Sequence, residues 1–451
     1  MGVNVDYLII GNSAAGVTAA ETIRMFDADS SIAIIANEPY PAYGTPLISY
    51  LIEGKTTEEK VFSYKSADFY EKNNIQTYFD YGYEAVKLDA AQQTVTCKNG
   101  EVFGYGDVLV ATGSTPFVPP TPGIDNRSNV VPFITFDHGK KAWDLAIKAT
   151  SHAHAQGRYS NLVIIGAGLI GLKAAESLSY HMDNVRVLEL APRILPAVLD
   201  TQGAAVLQEQ LERHGVVCTP GITAEELCGE GDAVTSVKLT DGTEIPCDLL
   251  IAAVGVRPNS SLAVEAGAEQ GRGLICDEHM QTTLPHVYAA GDVTQVHNTL
   301  DGSDRPLALW PNAVRQGRIA GMAMAGKPFA TYPGNYPVNA VDVFESTLLT
   351  AGIINPPEDQ DYEIHIVAEG DTYAKFVVKD NVLQGYILLN RPEGAGIYTD
   401  LIEKKTPLDA VSEDLFQDAP GNLEFGADAR WARLHKGYPF DMNRYGWKER
   451  A

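Results

Sequence analysis

The chain has 451 residues, of which 45% are hydrophobic and 20% charged, and its formal net charge is -24. The length predicts two to four domains, and the composition is typical of a soluble globular protein. The negative charge argues against sequence-independent binding to nucleic acid or to an anionic membrane, since both need a positive surface. It suits a partner with a basic patch, or it serves solubility alone.

Two features of the sequence argue against a membrane protein. No apolar run approaches the roughly 20 residues of a membrane span. The first strand begins almost at the N-terminus, which leaves no room for a signal peptide. We therefore expect a cytoplasmic protein with no membrane partner.

The cysteines argue against a disulfide framework and against a metal site. They are five in number, and no two form a CxxC pair. His152 and His154 have a spacing that can ligate a metal, but no carboxylate or cysteine cluster accompanies them. They fall in a stretch that reads as a polar linker leading to Ser160, so we expect a solvated loop and no metal.

The first motif lies at the N-terminus, where an apolar strand from Val5 to Ile10 runs into a loop of small residues. This strand, the loop and the Ala-rich helix from Val17 to Met25 fit a dinucleotide-binding turn, in which a phosphate sits at the helix N-terminus. The loop residues that would approach the phosphate are Gly11, Ser13, Ala14, Ala15 and Gly16. Because Ser13 replaces the middle glycine of GxGxxG, the loop alone also fits a plain strand-to-helix turn.

A complete second copy of the motif follows an apolar strand at residues 161–165. Its loop and first helical turn contain Gly166, Gly168, Leu169, Ile170 and Gly171. The second copy repeats the opening, including an Ala-Ala-Glu sequence in each helix, so the chain is expected to have two dinucleotide sites.

An acidic residue follows the second strand of each copy. Glu38 comes after the strand at 31–36 and is predicted to accept hydrogen bonds from an adenosine ribose. Glu189 ends the strand at 185–189, where a carboxylate accepts from both ribose hydroxyls of NAD and repels a 2′-phosphate. NADH is therefore favoured over NADPH, although Arg193 lies close enough in sequence to weaken this preference.

The remaining pattern predicts further elements in chain order. These are a helix at 61–70, a β-meander at 92–105, a strand at 107–111, a helix at 201–214, a hairpin at 232–245, a strand at 247–255, and strands at 340–350, 362–368, 373–379 and 382–389.

Five short sequences together identify a family resemblance. They are the two glycine loops, Ala-Thr-Gly at 111–113, AVGVRPN at 253–259 and VYAAGD at 287–292. In this order they resemble the FAD-dependent pyridine nucleotide-disulfide oxidoreductase superfamily, over residues 7–326. Residues 38–40 and 309–317 are most similar to the branch that contains rubredoxin reductases and the flavin portion of NADH-dependent nitrite reductases.

The resemblance implies an α/β fold with two Rossmann-like dinucleotide-binding domains and a C-terminal α+β interface domain. The expected domains are an FAD domain (1–122 and 272–330), an NAD domain (123–271), an interface domain (331–407) and a C-terminal extension (408–451). A homodimer or a subunit of a redox complex is expected. The extension ends in a basic and aromatic tail from Arg430 to Arg450, which would anchor a partner or pack against the chain's own acidic body.

The resemblance also implies which residues bind each cofactor. The first loop would bind FAD and the second NAD(H). Asp292 would accept from the ribityl hydroxyls, and the helix that begins near Pro311 would face the flavin pyrimidine edge and stabilise the charge of reduced flavin. The remaining FAD residues are Glu38, Ala111, Thr112, Gly113, Gly291, Asn312 and Ala313, and the remaining NAD residues are Glu189, Val254 and Gly255.

Two departures from the family pattern bear on function. Disulfide-reducing members have a redox cysteine near the position of Tyr43 to Pro46, and this chain has none there. Lys173 stands where many members have a glutamate, and it either lies near flavin N5 or O4, favouring anionic reduced flavin, or lies on the helix surface without a role.

Together these features predict an FAD-dependent oxidoreductase that passes electrons between NAD(H) and a protein electron carrier or iron–sulfur partner subunit, in either direction, without a redox disulfide. Direct reduction of a small molecule such as a quinone or a radical is an alternative. A non-enzymatic flavin-bound scaffold or redox sensor is another.

Overall fold

The computed structural model describes residues 2–411, 415–417, 420–421, 425–426 and 430–431. They divide into two compact units, the first formed by residues 2–197 and 208–337 and the second by residues 198–207 and the described residues from 338 onward. The predicted basic and aromatic tail beyond Trp431 lies outside the described residues. The predicted domain boundaries remain a prediction.

The first unit contains most of the helices and strands described. In chain order they are β1 (Val3–Ile10), α1 (Ala14–Phe26), β2 (Ile32–Ala36), α2 (Leu47–Ile52), α3 (Glu58–Val61), α4 (Phe69–Lys72), β3 (Ile75–Phe79), β4 (Ala85–Asp89), β5 (Thr94–Cys97), β6 (Val102–Val110), β7 (Ser114–Pro116), β8 (Val130–Pro132), α5 (Phe136–Ala155), β9 (Asn161–Ile165), α6 (Leu169–Ser179), β10 (Asn184–Glu189), α7 (Thr201–Arg213, which begins in the second unit), β11 (Val216–Pro220), β12 (Ala224–Cys228), β13 (Ser236–Leu239), β14 (Glu244–Pro246), β15 (Leu249–Ala252), β16 (Val256–Pro258), α8 (Ser261–Glu265), β17 (Val287–Ala289), β18 (Val296–His297), β19 (Asp304–Arg305) and α9 (Trp310–Met324).

Two parallel sheets form the framework of this unit. The first has the order β3-β2-β1-β6-β17, and β5 and β4 extend it as an antiparallel meander. The second has the order β11-β10-β9-β15-β8. In each sheet the strand that precedes a glycine loop, β1 or β9, is central and ends in buried apolar residues, as expected for a strand end covered on both faces. The predicted α/β class is confirmed.

Helix α5 occupies the stretch that the sequence pattern predicted to be a linker. Thr135 caps its N-terminus in a capping box with His138. Except for Phe136, the residues that it buries are glycine or alanine, so the apolar periodicity that predicts a helix is weak. His154 lies in the last turn, where its Nε2 is 2.9 Å from Asp183 Oδ2, and is not in a loop.

The helix predicted at 61–70 is also wrong, because α3 ends at Val61 and α4 begins at Phe69. The hydroxyls between them make local bonds. Ser63 donates to the Lys60 carbonyl, and Ser66 donates to the Asp68 carboxylate. Such side-chain bonds compete with helix formation.

The second unit is built on an antiparallel sheet with the order β20-β21-β24-β23-β22. Its elements are β20 (Val338–Val343), β21 (Ser346–Gly352), β22 (Glu363–Glu369), β23 (Thr372–Lys379), β24 (Val382–Leu389) and α10 (Ala395–Glu403). The single strand predicted at 340–350 is therefore two strands, and the chain reverses at Phe344, whose φ is +52°. None of the helices in the described part of the chain has both the length and the apolar character that a membrane crossing needs.

Candidate cofactor-binding sites

The first glycine loop leaves β1 at the carboxyl edge of the first sheet. Gly11 has φ +117°, and a Cβ atom on it would lie 2.1 Å from the Ala111 carbonyl oxygen. A Cβ atom on Gly16 would lie 2.0 Å from the Gly11 oxygen. Neither position therefore accepts a side chain, and the backbone between them is kept open.

Ser13 is the N-cap of α1, but its side chain makes no capping hydrogen bond. The first N–H groups of a helix have no intrahelical partner, and they favour an anion when no side chain caps them. The loop therefore fits a pyrophosphate.

The second loop has the same construction at the edge of the second sheet. Gly166 has φ +103°, and a Cβ atom on it would lie 2.4 Å from the Ala253 oxygen and 3.2 Å from the Val254 nitrogen. A Cβ atom on Gly171 would lie 1.9 Å from the Gly166 oxygen. Gly168 faces open space, with no atom within 4 Å of a Cβ atom built on it. This loop fits a second pyrophosphate.

The two predicted ribose-binding carboxylates have different partners. Glu189 accepts from the backbone N–H groups of Ala167 and Ala191, both at 2.8 Å, so it lies directly beside the second glycine loop. Glu38 accepts a hydrogen bond from the Tyr43 hydroxyl at 3.1 Å, and burial raises its pKa. Because a carboxylate offers about four lone-pair sites, both residues retain capacity for a ribose hydroxyl.

The segments after β6 and β15 bind to each other. The Thr112 hydroxyl donates to the Asn259 carbonyl oxygen at 2.9 Å, and the Asn259 amide donates to the Thr112 carbonyl oxygen at 2.8 Å. Gly113 and Gly255 both have positive φ, +66° and +110°, and lead into the paired strands β7 and β16. The predicted residues at 111–113 and 254–255 thus lie beside their glycine loops. The Thr112–Asn259 hydrogen bonds and the pairing of β7 with β16 hold the two segments together.

Gly291 joins three of the predicted FAD segments. A Cβ atom on it would lie 3.3 Å from Ala15 Cβ and 3.7 Å from Ala313 Cβ. The first turns of α1 and α9 therefore meet at this glycine. The next residue, Asp292, is largely buried, and it accepts a hydrogen bond from the Ser114 hydroxyl at 3.1 Å. Burial raises the pKa of Asp292, which disfavours its charged form. A further hydroxyl that donates to this carboxylate would favour the charged form.

Helix α9 is held close to α1 by small residues. Cβ atoms on Gly317 and Gly321 would lie 2.3 and 2.7 Å from the carbonyl oxygens of Ala15 and Ala19. Because Ala15 pairs with Gly317 and Ala19 with Gly321, the two helices run in the same direction. Their N-termini therefore point to the same edge of the first sheet, where a dinucleotide would lie.

Sequence reasoning did not identify Gln316 and Ser114 as site residues. Gln316 is fully buried, and its Oε1 accepts from the Gly291 N–H at 2.8 Å while its amide donates to Thr294 at 3.0 Å. It therefore fixes the loop that carries Asp292 onto α9. No local pattern marks either residue, since both act across more than 20 positions of sequence.

Pro311 lies in the first turn of α9, as predicted. The Asn312 side chain is buried, donates to the Leu307 carbonyl and accepts from Tyr332 and Asn335. These bonds hold the start of the helix in place. Because they use the Asn312 side chain, only the Asn312 backbone N–H can face a ligand.

The sequence matches a known family, in agreement with this geometry. The model of the pyridine nucleotide-disulphide oxidoreductase family matches residues 5–317. The chain belongs to this family. Its members are oxidoreductases that use FAD and NAD(P)H, so the predicted enzyme class and cofactors are confirmed.

Individual relatives lie within the same family. The chain is 31% identical to the nitrite reductase [NAD(P)H] of Bacillus subtilis (strain 168) over 90% of its own length and 48% of the relative's. It is 30% identical to the NADH-dependent phenylglyoxylate dehydrogenase subunit epsilon of Aromatoleum evansii, over 89% and 92% of the two chains. The chain thus spans about half the length of the nitrite reductase and nearly all of the epsilon subunit.

A solved structure shares the fold. The covalent putidaredoxin reductase–putidaredoxin complex has a TM-score of 0.81 and 25% identity, and the match covers 92% of this chain and 96% of that chain. The predicted branch, with reductases of protein electron carriers, is confirmed as a resemblance.

Proposed function

We propose that this chain passes electrons between NADH and a protein electron carrier or iron–sulfur partner subunit through bound FAD, without a redox-active disulfide. The observation that carries the proposal is the side-chain content of the segment from Tyr43 to Pro46, where disulfide-reducing members of the family have a cysteine.

Aromatic rings from other parts of the chain pack against this segment. The Tyr43 ring packs edge-on against Tyr40, Phe62 and Phe136, with ring centroids 5.8–6.4 Å apart, and Phe62 and Phe136 are 4.8 Å apart. The Tyr43 hydroxyl bridges Glu38 and the Phe136 N–H at the start of α5. Burial raises the pKa of Tyr43, so it stays protonated and donates to Glu38. This cluster supplies packing and a hydrogen bond but no thiol chemistry.

The chain's own residues would bind and orient the two cofactors. The backbone of the first loop would bind the FAD pyrophosphate, Glu38 the adenosine ribose and Asp292 the ribityl chain, and the second loop with Glu189 would bind NADH. The N-terminus of α9 would stabilise negative charge on the flavin. Bound FAD supplies the redox chemistry by accepting hydride from NADH and releasing electrons to the acceptor. Lys173 forms ion pairs with Glu53 and Glu176, so its positive charge is compensated by these carboxylates.

A preference for NADH is part of the proposal. Both oxygens of Glu189 are held by backbone N–H groups, which fixes a negative charge where a 2′-phosphate would lie. The Arg193 guanidinium donates to the Pro196 carbonyl oxygen at 3.3 Å, which occupies part of its donor capacity.

The relatives support a protein partner. The putidaredoxin reductase structure is a complex with putidaredoxin, and the epsilon chain is by its name a subunit of a dehydrogenase. Homodimer formation and a cytoplasmic location are proposed with it.

Anaerobic stopped-flow mixing with NADH tests the proposal. We expect the bound flavin to be bleached at a rate on the order of 1–10³ s⁻¹, and a rubredoxin or a [2Fe–2S] ferredoxin to reoxidise it faster than a quinone. Negligible bleaching would instead favour a flavin-bound scaffold, and faster reoxidation by the quinone would favour a small-molecule reductase.

A further inference from the structure

The side chain of Asn12 connects the first glycine loop to the segment that follows β2. Its amide nitrogen donates to the Tyr40 carbonyl oxygen at 3.1 Å, and its amide oxygen accepts from the Tyr70 hydroxyl at 2.8 Å. One end of an asparagine amide donates and the other accepts, so these two bonds fix its orientation. Asn12 directly follows Gly11, and therefore both bonds begin inside the loop that fits a pyrophosphate.

The Tyr70 hydroxyl extends this connection to a second point of the same segment. It accepts a hydrogen bond from the Ala42 N–H at 2.9 Å while it donates to Asn12. Ala42 is 2% exposed, so its N–H would be costly to leave without a partner. The Tyr70 ring packs edge-on against Phe79, with the ring centroids 5.4 Å apart. Asn12 and Tyr70, with the Tyr40 carbonyl and the Ala42 N–H, are called the Asn12 bridge below.

The bridge holds a segment that also contains the predicted ribose carboxylate. Glu38 lies two residues before Tyr40. Its hydrogen-bond donor, Tyr43, directly follows Ala42. The bonds from Asn12 thus reach the chain between Glu38 and Tyr43. They fix the position of Glu38 relative to the glycine loop and leave the Glu38 carboxylate free to bind a ribose.

The second glycine loop is connected to its neighbouring segment in a different way. Ala167 stands at the position of Asn12 and has no polar side-chain atom. Its backbone makes the bonds instead, because the Ala167 N–H donates to Glu189 at 2.8 Å and the Ala167 carbonyl accepts from the Leu195 N–H at 2.9 Å. The ribose carboxylate of the second loop therefore also fastens its segment to the loop. In the first loop a separate side chain, that of Asn12, has this task.

We propose that Asn12 and Tyr70 are positioning residues, which hold residues 38–43 on the first glycine loop and thereby slow the release of FAD. The inference rests on the proposed function, because it needs the FAD pyrophosphate on the loop and the adenosine ribose on Glu38. A ligand held at two points that are fixed to each other re-forms one broken contact while the other still holds it. Such preorganisation lowers the ordering cost of binding, and its loss is expected mainly in the dissociation rate.

Exchange of bound FAD against an excess of radiolabelled FAD, followed by gel filtration, measures the release rate in the holoprotein. Asn12→Ala removes both amide bonds, and Tyr70→Phe removes the hydroxyl but keeps the ring. Each is expected to speed release about tenfold, on the scale of the loss of one or two buried hydrogen bonds. The double variant is expected to stay within about threefold of the single variants, because either change breaks the same bridge.

Two further measurements distinguish positioning from general damage to the fold. In a Glu38→Ala background, Asn12→Ala is expected to change the release rate by less than about twofold, because the bridge acts on FAD through Glu38. The control variant is Tyr7→Phe, which removes the hydroxyl that donates to Asp27 at 3.0 Å. Tyr7 lies on β1, and Asp27 follows the end of α1 that is remote from the loop. This control is therefore expected to leave FAD release unchanged.

Faster release in both single variants, no further gain in the double variant and loss of the effect without Glu38 support the proposal. Unchanged release in either single variant, effects that multiply in the double variant, or an equal acceleration in the Glu38→Ala background or in Tyr7→Phe overturns it. For a variant purified without FAD, equilibrium dialysis against FAD replaces the exchange measurement, and an affinity about tenfold below that of the native chain is expected. A native chain that neither contains nor takes up FAD would instead contradict the proposed function itself.

Discussion

The two glycine loops have nearly the same geometry, although one contains Ser13 and the other Gly168. A Cβ atom on Gly11 or Gly166 would lie 2.1 or 2.4 Å from the carbonyl oxygen of the residue that follows the neighbouring strand. A Cβ atom on Gly16 or Gly171 would lie 2.0 or 1.9 Å from the oxygen of the first glycine of its own loop. At Gly168 a Cβ atom would meet open space. A side chain at the same position of the first loop, where Ser13 stands, therefore needs no space that the protein itself occupies.

The surroundings of the loops differ far more than the loops do. Beside the first loop, Gly291 meets Ala15 and Ala313, and there the partly buried Asp292 accepts a hydrogen bond from Ser114. Beside the second loop, Glu189 is bound directly to the loop backbone. Loop shape thus indicates that a dinucleotide binds, and the neighbouring carboxylates indicate which one.

The largest effects should come from filling each loop separately. Gly16→Ala places a Cβ against the Gly11 oxygen and should weaken FAD binding by more than about 100-fold, on the scale of ~3 kcal/mol for overpacking. Gly171→Ala makes the same clash in the second loop and should leave FAD bound while weakening NADH binding to a similar degree. Flavin absorbance per chain and NADH titration measure the two effects.

Ser13→Gly is the control for Gly16→Ala, since it adds no atom to the first loop. It should change FAD affinity by less than about fivefold, on the scale of ~1 kcal/mol. Loss of both cofactors from Gly171→Ala would show that the loops do not act independently.

A smaller loss is expected from Asp292→Asn, which removes the charged acceptor beside the first loop. A hydrogen bond to a charged group contributes about 1.5–3 kcal/mol, so FAD affinity should fall by about 10- to 100-fold, with NADH affinity of the remaining holoprotein unchanged. Equilibrium dialysis of the FAD-free protein against FAD measures the change. An unchanged FAD affinity would remove Asp292 from the site.

The same variant has a pH signature in the FAD-free protein. Burial raises the folded-state pKa of Asp292 above its unfolded value of about 3.9. A raised pKa contributes stability at low pH that is lost as the pH rises through the folded pKa. The thermal stability of Asp292→Asn should therefore equal that of the native chain near pH 4 and exceed it increasingly toward neutral pH.

Glu189→Gln should alter cofactor choice in the second loop by a still smaller amount. The substitution keeps the shape but removes the charge that would repel a 2′-phosphate, so the ratio of kcat/KM for NADH to that for NADPH should fall about tenfold, or ~1.4 kcal/mol. Steady-state kinetics with both nucleotides measure it. Glu38→Gln, the equivalent change beside the first loop, should leave the ratio unchanged. If Glu189→Gln had the same ratio as the native chain, the role of Glu189 in selecting NADH would be contradicted.

The smallest effect is expected from the thiols, which neither loop uses. Burial raises the pKa of Cys97 to about 11 and those of Cys218 and Cys276 to about 12, so these thiols stay protonated at neutral pH. Iodoacetamide treatment should change the rate of flavin reduction by NADH by less than about twofold. A thiolate-to-flavin charge-transfer band in half-reduced protein would contradict the absence of a redox thiol.

The parts of the fold that the sequence predicted are those with a local pattern. Each glycine loop directly follows a strand that ends in apolar residues, and its residues are contiguous in sequence. Helix α5 was missed because Gly139, Ala142 and Ala146 line its buried face, and such small residues give little apolar contrast. Gln316 was missed because its bond to Gly291 spans 25 positions, which no local spacing reveals.

Lys173 shows the same limit within the site. Its departure from the family pattern was visible in the sequence, but its compensation by Glu53 depends on the packing of α2 against α6. A role at the flavin remains a prediction.

The central claim is that electrons pass from the flavin to a protein acceptor and that no thiol of this chain takes part. It is tested most directly by the acceptor preference of the NADH-reduced protein. In double-mixing stopped-flow, a rubredoxin or a [2Fe–2S] ferredoxin should restore the oxidised flavin spectrum at least about tenfold faster than an equal concentration of a small disulfide such as oxidised glutathione, since a tenfold rate ratio needs only ~1.4 kcal/mol of barrier difference. Faster reoxidation by the disulfide would contradict the account.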